Sequence, residues 1–378
     1  MAPFTPPFCP NPSCSHHQDS PGDYSAFVRY GFHHTATFGP VPRFKCSTCG
    51  KTFSRQTFRL SYYLKRDLTF TTIASALVSC SSIRAIGRLV DASCASVSSR
   101  IARMSRQSLA FSSRLALSRT PDEDLAADGF ESFCVSQYFP NNITILVGQR
   151  SQFVYAVDHA TLRRKGRMTP LQKATRARLD RIHRPDPKAI TSSFRVILDE
   201  IAPIAFDSGR SDITLWTDQK KEYRTAIHSH MPASFLDQEE RLVHRSISSR
   251  AERTRENPLA AVNYLDREIR KDLHEHTRET VCFARNVNNQ MDRMTVYVFH
   301  HNFLKHFRIG GKGEDRRSHA EVAGYRKTAL RKELAEVWVD RAFSTRESLR
   351  DMDRRTWFRT RATPLKTGPE HLQKRVAA

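Results

Sequence analysis

Two stretches set the reading of this chain, Leu125-Ala126-Ala127-Asp128-Gly129-Phe130-Glu131-Ser132-Phe133 and Asp212-Ile213-Thr214-Leu215-Trp216-Thr217-Asp218. Both are strand-like in composition and both carry an aspartate: Asp128 lies inside the first, Asp218 at the C-terminal edge of the second. Working outward, residues 142–147 and 153–158 read as the second and third strands and 190–201 as a helix. A short helix near Tyr223, a fifth strand at 241–244 and a long helix over 257–282 follow.

Three meandering strands, then helix, strand, helix, strand and helix, is the element order of an RNase H-like α/β fold. It predicts a mixed five-stranded sheet whose first and fourth strands are neighbours, which brings Asp128 and Asp218 to one end of the sheet. Paired carboxylates suit hard divalent cations such as Mg2+ or Mn2+. Two such ions can activate a water or 3′-hydroxyl and stabilise a leaving oxygen. The plainer reading is two aspartates that end strands at turns. The catalytic region is assigned to 121–300, with a basic insertion at 161–188 that holds ten Lys/Arg against two acids.

Upstream, Cys9 and Cys14 enclose four residues and Cys46 and Cys49 enclose two. Closely spaced pairs suit tetrahedral zinc, since each knuckle presents two thiolates to one ion. Gly50 permits the turn after the second knuckle, Phe44 and Phe53 can pack beneath the metal, and His16 and His17 are alternatives to Cys14. Residues 1–60 therefore read as a zinc ribbon holding structural Zn2+. In 61–120, helices at 68–77, 81–90 and 95–104, with apolar Ile83, Ile86, Val90, Val97 and Ile101, fit a helix-turn-helix. Its last helix would turn Ser96, Ser98, Ser99, Arg100 and Arg103 toward DNA; a plain helical hairpin gives the same pattern. Cys80 and Cys94 read as small core residues.

The whole is a multidomain α+β chain. Its net charge is +22 over 378 residues, which favours a polyanionic partner, double-stranded DNA. No apolar run reaches the roughly 18 residues of a membrane helix. No secretory signal, P-loop or dinucleotide motif is present, and eight Cys are too few for a disulfide scaffold. The location expected is cytoplasmic and nucleoid-associated. Residues 301–378 are charged and read as helical pieces ending in a loose basic tail.

The motif order resembles bacterial insertion-sequence transposases of the DDE class, closest to those with an N-terminal zinc ribbon and to relatives in which Asn replaces the third acid. The telling stretch is Asn257-Pro258-Leu259-Ala260-Ala261-Val262-Asn263-Tyr264-Leu265-Asp266-Arg267-Glu268-Ile269-Arg270, followed by Arg278-Glu279-Thr280. The resemblance implies that Asn263 stands in the acid position, with Arg270 seven positions on and Arg278 in a basic stretch that contacts DNA. The usual Glu is absent. Asp266, one turn beyond Asn263, could supply the missing charge, with Glu256 and Glu268 as alternatives and Glu268 expected to point away. His244 could contact a phosphate or be an ordinary surface histidine. The activity implied is cutting and joining of DNA at the element's terminal repeats by a homo-oligomer. The competing readings are a non-catalytic DNA-binding regulator derived from a transposase and a nuclease of the same fold.

Overall fold

The computed structural model describes residues 4–18, 25–117, 121–248, 250–277, 282–308 and 315–366. Near the N-terminus β1 (Phe27–Thr35), β2 (Gly39–Cys46) and β3 (Thr52–Ser54) form an antiparallel sheet in that order. Phe44 and Phe53 lie opposite each other on β2 and β3 and bury with Phe58 beside the cysteines. Three helices follow: α1 (Phe70–Leu77), α2 (Ile83–Leu89) and α3 (Cys94–Ala116). Ser82 and Ser93 cap α2 and α3 by accepting the N–H groups of Ala85 and Ser96, which would otherwise be orphaned at the helix starts. The sequence predicts that the third helix ends at 104. It continues to Ala116 because Leu109, Ala110, Phe111 and Leu115 extend its apolar stripe and are buried.

The chain then forms β4 (Leu125–Phe133), β5 (Pro140–Gly148), β6 (Val154–Thr161), α4 (Pro170–Asp180), α5 (Ala189–Asp207), β7 (Ile213–Asp218), α6 (Lys221–Ser229), α7 (Met231–Gln238), β8 (Leu242–Ile247) and α8 (Ala260–Asp272). The sheet order is β6-β5-β4-β7-β8, with the first three strands antiparallel and β7 and β8 parallel to β4. The first and fourth strands of this sheet are therefore neighbours. Its pleat sorts the side chains. Leu125, Ala127, Ile213 and Leu215 face α5, α6 and α7, whereas Ala126, Phe130 and Trp216 face a second core shared with α1–α3 and with Ala261, Val262, Leu265 and Ile269 of α8. Asp128 and Asp218 share the parity of this second set, so both fall on the α8 face.

The last helix of this region ends ten residues before the 282 predicted. Leu273 leaves the helical conformation (φ −111°, ψ 112°), and one 3-10 turn follows at His274–His276. The bend lets Leu273 and His276 bury, with the His276 ring edge-on to Phe130 at 5.1 Å.

Beyond residue 300 the structure departs from the predicted loose tail. After α9 (Val287–Phe303) come β9 (His306–Arg308), β10 (Asp315–Ser318), α10 (His319–Val322), α11 (Lys327–Glu336) and α12 (Asp351–Trp357). Phe343 joins the phenylalanine cluster under the cysteines, and Trp357 is fully buried. Each such side chain contributes about 1.5–3 kcal/mol by leaving water. Three of the arginines here are matched to acids rather than solvated: Arg350 pairs with Glu200 and Asp353, Arg359 with Asp292, and Arg361 with Asp158. Among the described residues no helix is long and apolar enough to cross a membrane.

Candidate active site and metal centre

Pairing of β4 with β7 runs from Leu125 opposite Leu215 to Ala127 opposite Thr217, so the next residues along, Asp128 and Asp218, come level. Between them stands Lys220, from the turn that opens α6. Its Nζ lies 3.1 Å from Asp128 Oδ1 and 2.9 Å from Asp218 Oδ2. The Lys220 backbone N–H also donates to Asp218 Oδ1 at 3.1 Å, which fixes the turn. Burial works against the ammonium, but Tyr223, Asp128 and Asp218 outweigh it and hold the Lys220 pKa above the ordinary lysine value. Burial raises the Asp128 carboxyl; Lys220 opposes that rise and Asp218 adds to it.

Asp266 of α8 completes the group. Its carboxyl is pushed up to about 7, first by burial and then by the charge of Asp128, against the pull of Arg270, Lys220 and Arg253. Its Oδ1 is buried with no hydrogen-bond partner. An orphaned carboxylate oxygen next to a second carboxylate is costly unless a cation reaches it. The three carboxyls share one face of the sheet, but their oxygens do not all lie within 4.8 Å of one another. Asn263 lies one turn earlier on α8 and is half-buried. Glu268 is turned elsewhere: it accepts from Lys305 at 2.5 Å, and Lys271 lies 3.7 Å away. Glu256 is exposed, outside the helix, and bonds the Thr254 side chain.

Two residues expected at DNA are built into the support of this site. The Arg270 guanidinium stacks on the Phe130 ring at 4.4 Å and donates to the Glu131 carbonyl at 3.0 Å, clamping α8 to β4 one turn beyond Asp266. His244 Nε2 lies 2.9 Å from Thr217 Oγ1, whose hydroxyl donates to the Asp218 carbonyl. Burial lowers the His244 pKa, favouring the neutral ring.

In the N-terminal segment, the Sγ atoms of Cys9, Cys14, Cys46 and Cys49 all lie within 4.8 Å of one another. Among the described residues this is the one group of three or more ligand-type side chains drawn so close. Cys9 and Cys49 are 3.6 Å apart and Cys14 and Cys46 3.8 Å, against about 3.8 Å between sulfurs around a tetrahedral zinc with 2.3 Å bonds. Gly50 supplies the left-handed turn (φ +69°) that folds the second knuckle, its N–H donating to the Cys46 carbonyl. Burial pushes the Cys9 thiol up. At Cys49 burial is outweighed by bonds from Lys51, Asn11, Cys9 and Cys14, and the thiol falls to about 6. The histidines considered as alternatives are engaged elsewhere, His16 with Thr48 and His17 with the Cys9 carbonyl and Thr345. This is a four-cysteine group that could hold a structural zinc.

The helix expected to present a DNA-reading face needs correction. Arg100 and Arg103 are buried. Arg100 donates to the Ser96 and Arg66 carbonyls, and Arg103 to that of Leu60. Burial lowers the Arg103 pKa to about 10. Ser96, Ser98 and Ser99 are half-buried, and Ser96 is bonded to the Ser93 cap. Cys80 is half-buried and Cys94 exposed, so neither is a core thiol. Arg278 lies outside the described residues. The residue that sequence reasoning missed is Lys220; its one local signal is a lysine at a helix N-cap, where Ser, Thr, Asp or Asn is preferred. The chain matches no protein-family model, and no curated protein is similar to it.

Proposed function

We propose that the chain is a DDE-type DNA transposase built on an RNase H-like core, cutting and joining DNA at the ends of an insertion element. The observation that carries this reading is the convergence of Asp128 and Asp218, from adjacent parallel strands, on one ammonium, with the orphaned Asp266 carboxylate alongside. The sheet order, the first and fourth strands adjacent, is the one such a core requires. Asp128, Asp218 and Asp266, with the Asn263 side chain one turn earlier, would hold Mg2+ or Mn2+. Bound there, the metal supplies Lewis-acid activation of water or a 3′-hydroxyl and stabilises the leaving oxygen. A metal bound there would displace Lys220 from the two aspartates, and Arg270 clamps α8 to β4 beside them. The four-cysteine group supplies a structural zinc site, and the surplus positive charge holds duplex DNA.

A labelled duplex carrying the DNA that flanks the gene, incubated with Mg2+, tests the proposal. Asp128→Asn and Asp218→Asn should each lower cutting by at least about 10³-fold while the duplex is still bound. Cutting that survives both changes would refute it. A second reading, a DNA-binding regulator without cleavage, is favoured by Lys220 standing between the aspartates; it expects binding but no cutting by the unaltered chain.

A further inference from the structure

With Arg100 and Arg103 buried and Arg270 clamped to β4, the residues first assigned to DNA leave most of the contact unaccounted for. The surface best suited to it lies elsewhere. Every residue of β1 from Val28 to His34 is exposed, on both faces of the strand. Val28, Tyr30 and Phe32 are 58%, 51% and 64% accessible, an unusual cost for large apolar side chains on a short strand. Residues 25–66 contain Arg29, Arg43, Lys45, Lys51, Arg55, Arg59, Lys65 and Arg66 and not one Asp or Glu. Arg43 and Lys45 stand 5.3 and 5.9 Å from the Tyr30 ring centroid, so cation and aromatic surface are interleaved.

We infer that the β1–β2 hairpin is a groove-binding arm for duplex DNA. Its basic side chains track phosphates, and Tyr30 and Phe32 pack against sugars or wedge at a base step. A two-stranded ribbon is of the width a DNA groove admits. The geometry fits a rigid arm: Thr37 Oγ1, at the hairpin tip, donates to the Lys65 carbonyl at 2.7 Å, tying the tip to the segment that enters α1. The alternative occupant of an open strand edge is a second copy of the chain. Two features oppose it. A bulge between Arg29 and Phe32, together with Pro40 and Pro42 on the partner strand, spoils the edges for strand addition. Two such acid-free segments would also repel each other. A polyanion meets neither obstacle.

This inference rests on the DNA-binding part of the proposed function, not on its cleavage chemistry. The test is fluorescence anisotropy of the full-length chain on a short labelled duplex, without Mg2+, over a range of NaCl concentrations. Tyr30→Ala/Phe32→Ala should weaken binding about tenfold. Arg29→Gln/Lys45→Gln should lower the slope of log K against log salt by about two, one phosphate contact for each residue. Unchanged zinc content and far-UV circular dichroism certify that each variant is folded. Unchanged affinity and slope in both folded variants would overturn the inference. So would sedimentation showing that the unaltered chain dimerises and the aromatic variant does not, or stronger binding to single strands than to duplex. A chain that binds through the arm and never cuts would refute the cleavage reading alone.

Discussion

The two ligand clusters of this protein handle like charge in opposite ways. At the four-cysteine group, the thiol sulfurs crowd within 4.8 Å with no Lys or Arg ammonium or guanidinium hydrogen-bonded to them among the described contacts. At the acidic group, the chain supplies its own cation, Lys220, bonded to two of the three carboxylates. A thiolate set assembled without an internal counter-ion depends on an external one for its geometry. A carboxylate set with a lysine in its midst holds its shape before any metal arrives. On the proposed reading, the first arrangement suits a metal that folds a module and the second one that comes and goes.

The largest effect should follow from attacking the first cluster. Cys46→Ser, or zinc removal, is expected to loosen β1–β3 together with Phe58 and Phe343, which pack under the cysteines. Structural zinc in small modules supplies on the order of 10 kcal/mol. Metal analysis should fall from one zinc per chain to none, and limited proteolysis should open the segment before residue 66. An unaltered proteolysis pattern would break the comparison. Lys220→Met should act less severely, by about 3 kcal/mol, because it leaves two partly buried carboxylates facing each other. The same change should raise Mn2+ affinity about tenfold in titration calorimetry by deleting the internal competitor. Weaker Mn2+ binding would instead make the lysine part of the metal-bearing arrangement.

What could be read in the sequence follows the range of the interactions involved. Cysteine knuckles are local, so spacing alone exposed Cys9, Cys14, Cys46 and Cys49. Strand order was legible from alternation and from where Asp128 and Asp218 fall. Lys220 is not legible locally because one of its two partners, Asp128, lies 92 positions away. The burial of Arg100 and Arg103 is hidden from a local window for a related reason: the Arg66 and Leu60 carbonyls that cover them lie 34 and 43 positions upstream. Beyond residue 300, counting charge suggested a solvated tail. Arg350 and Arg361 instead find acids 150 and 203 positions back, and no local window shows that.

The smallest effect sharpens the comparison most. Asp266 titrates near 7 in the folded chain, raised by burial and then by Asp128, against an ordinary carboxyl value of 3.8. Between those values the folded protein holds a proton that the unfolded chain has lost. Its stabilising contribution is therefore complete below pH ~4 and drains away as pH climbs through about 7. Over pH 5.5–8, without added divalent ions, the loss should be about 2 kcal/mol, read as a falling urea midpoint. Asp266→Asn should flatten this slope. Mn2+ should reverse the slope in the unaltered chain, because the ionised Asp266 that weakens the metal-free fold is the form that binds a cation. A slope identical in the unaltered chain and the Asn variant would mean that Asp266 is not strained by its neighbours, and the contrast between the two clusters would rest on Lys220 alone.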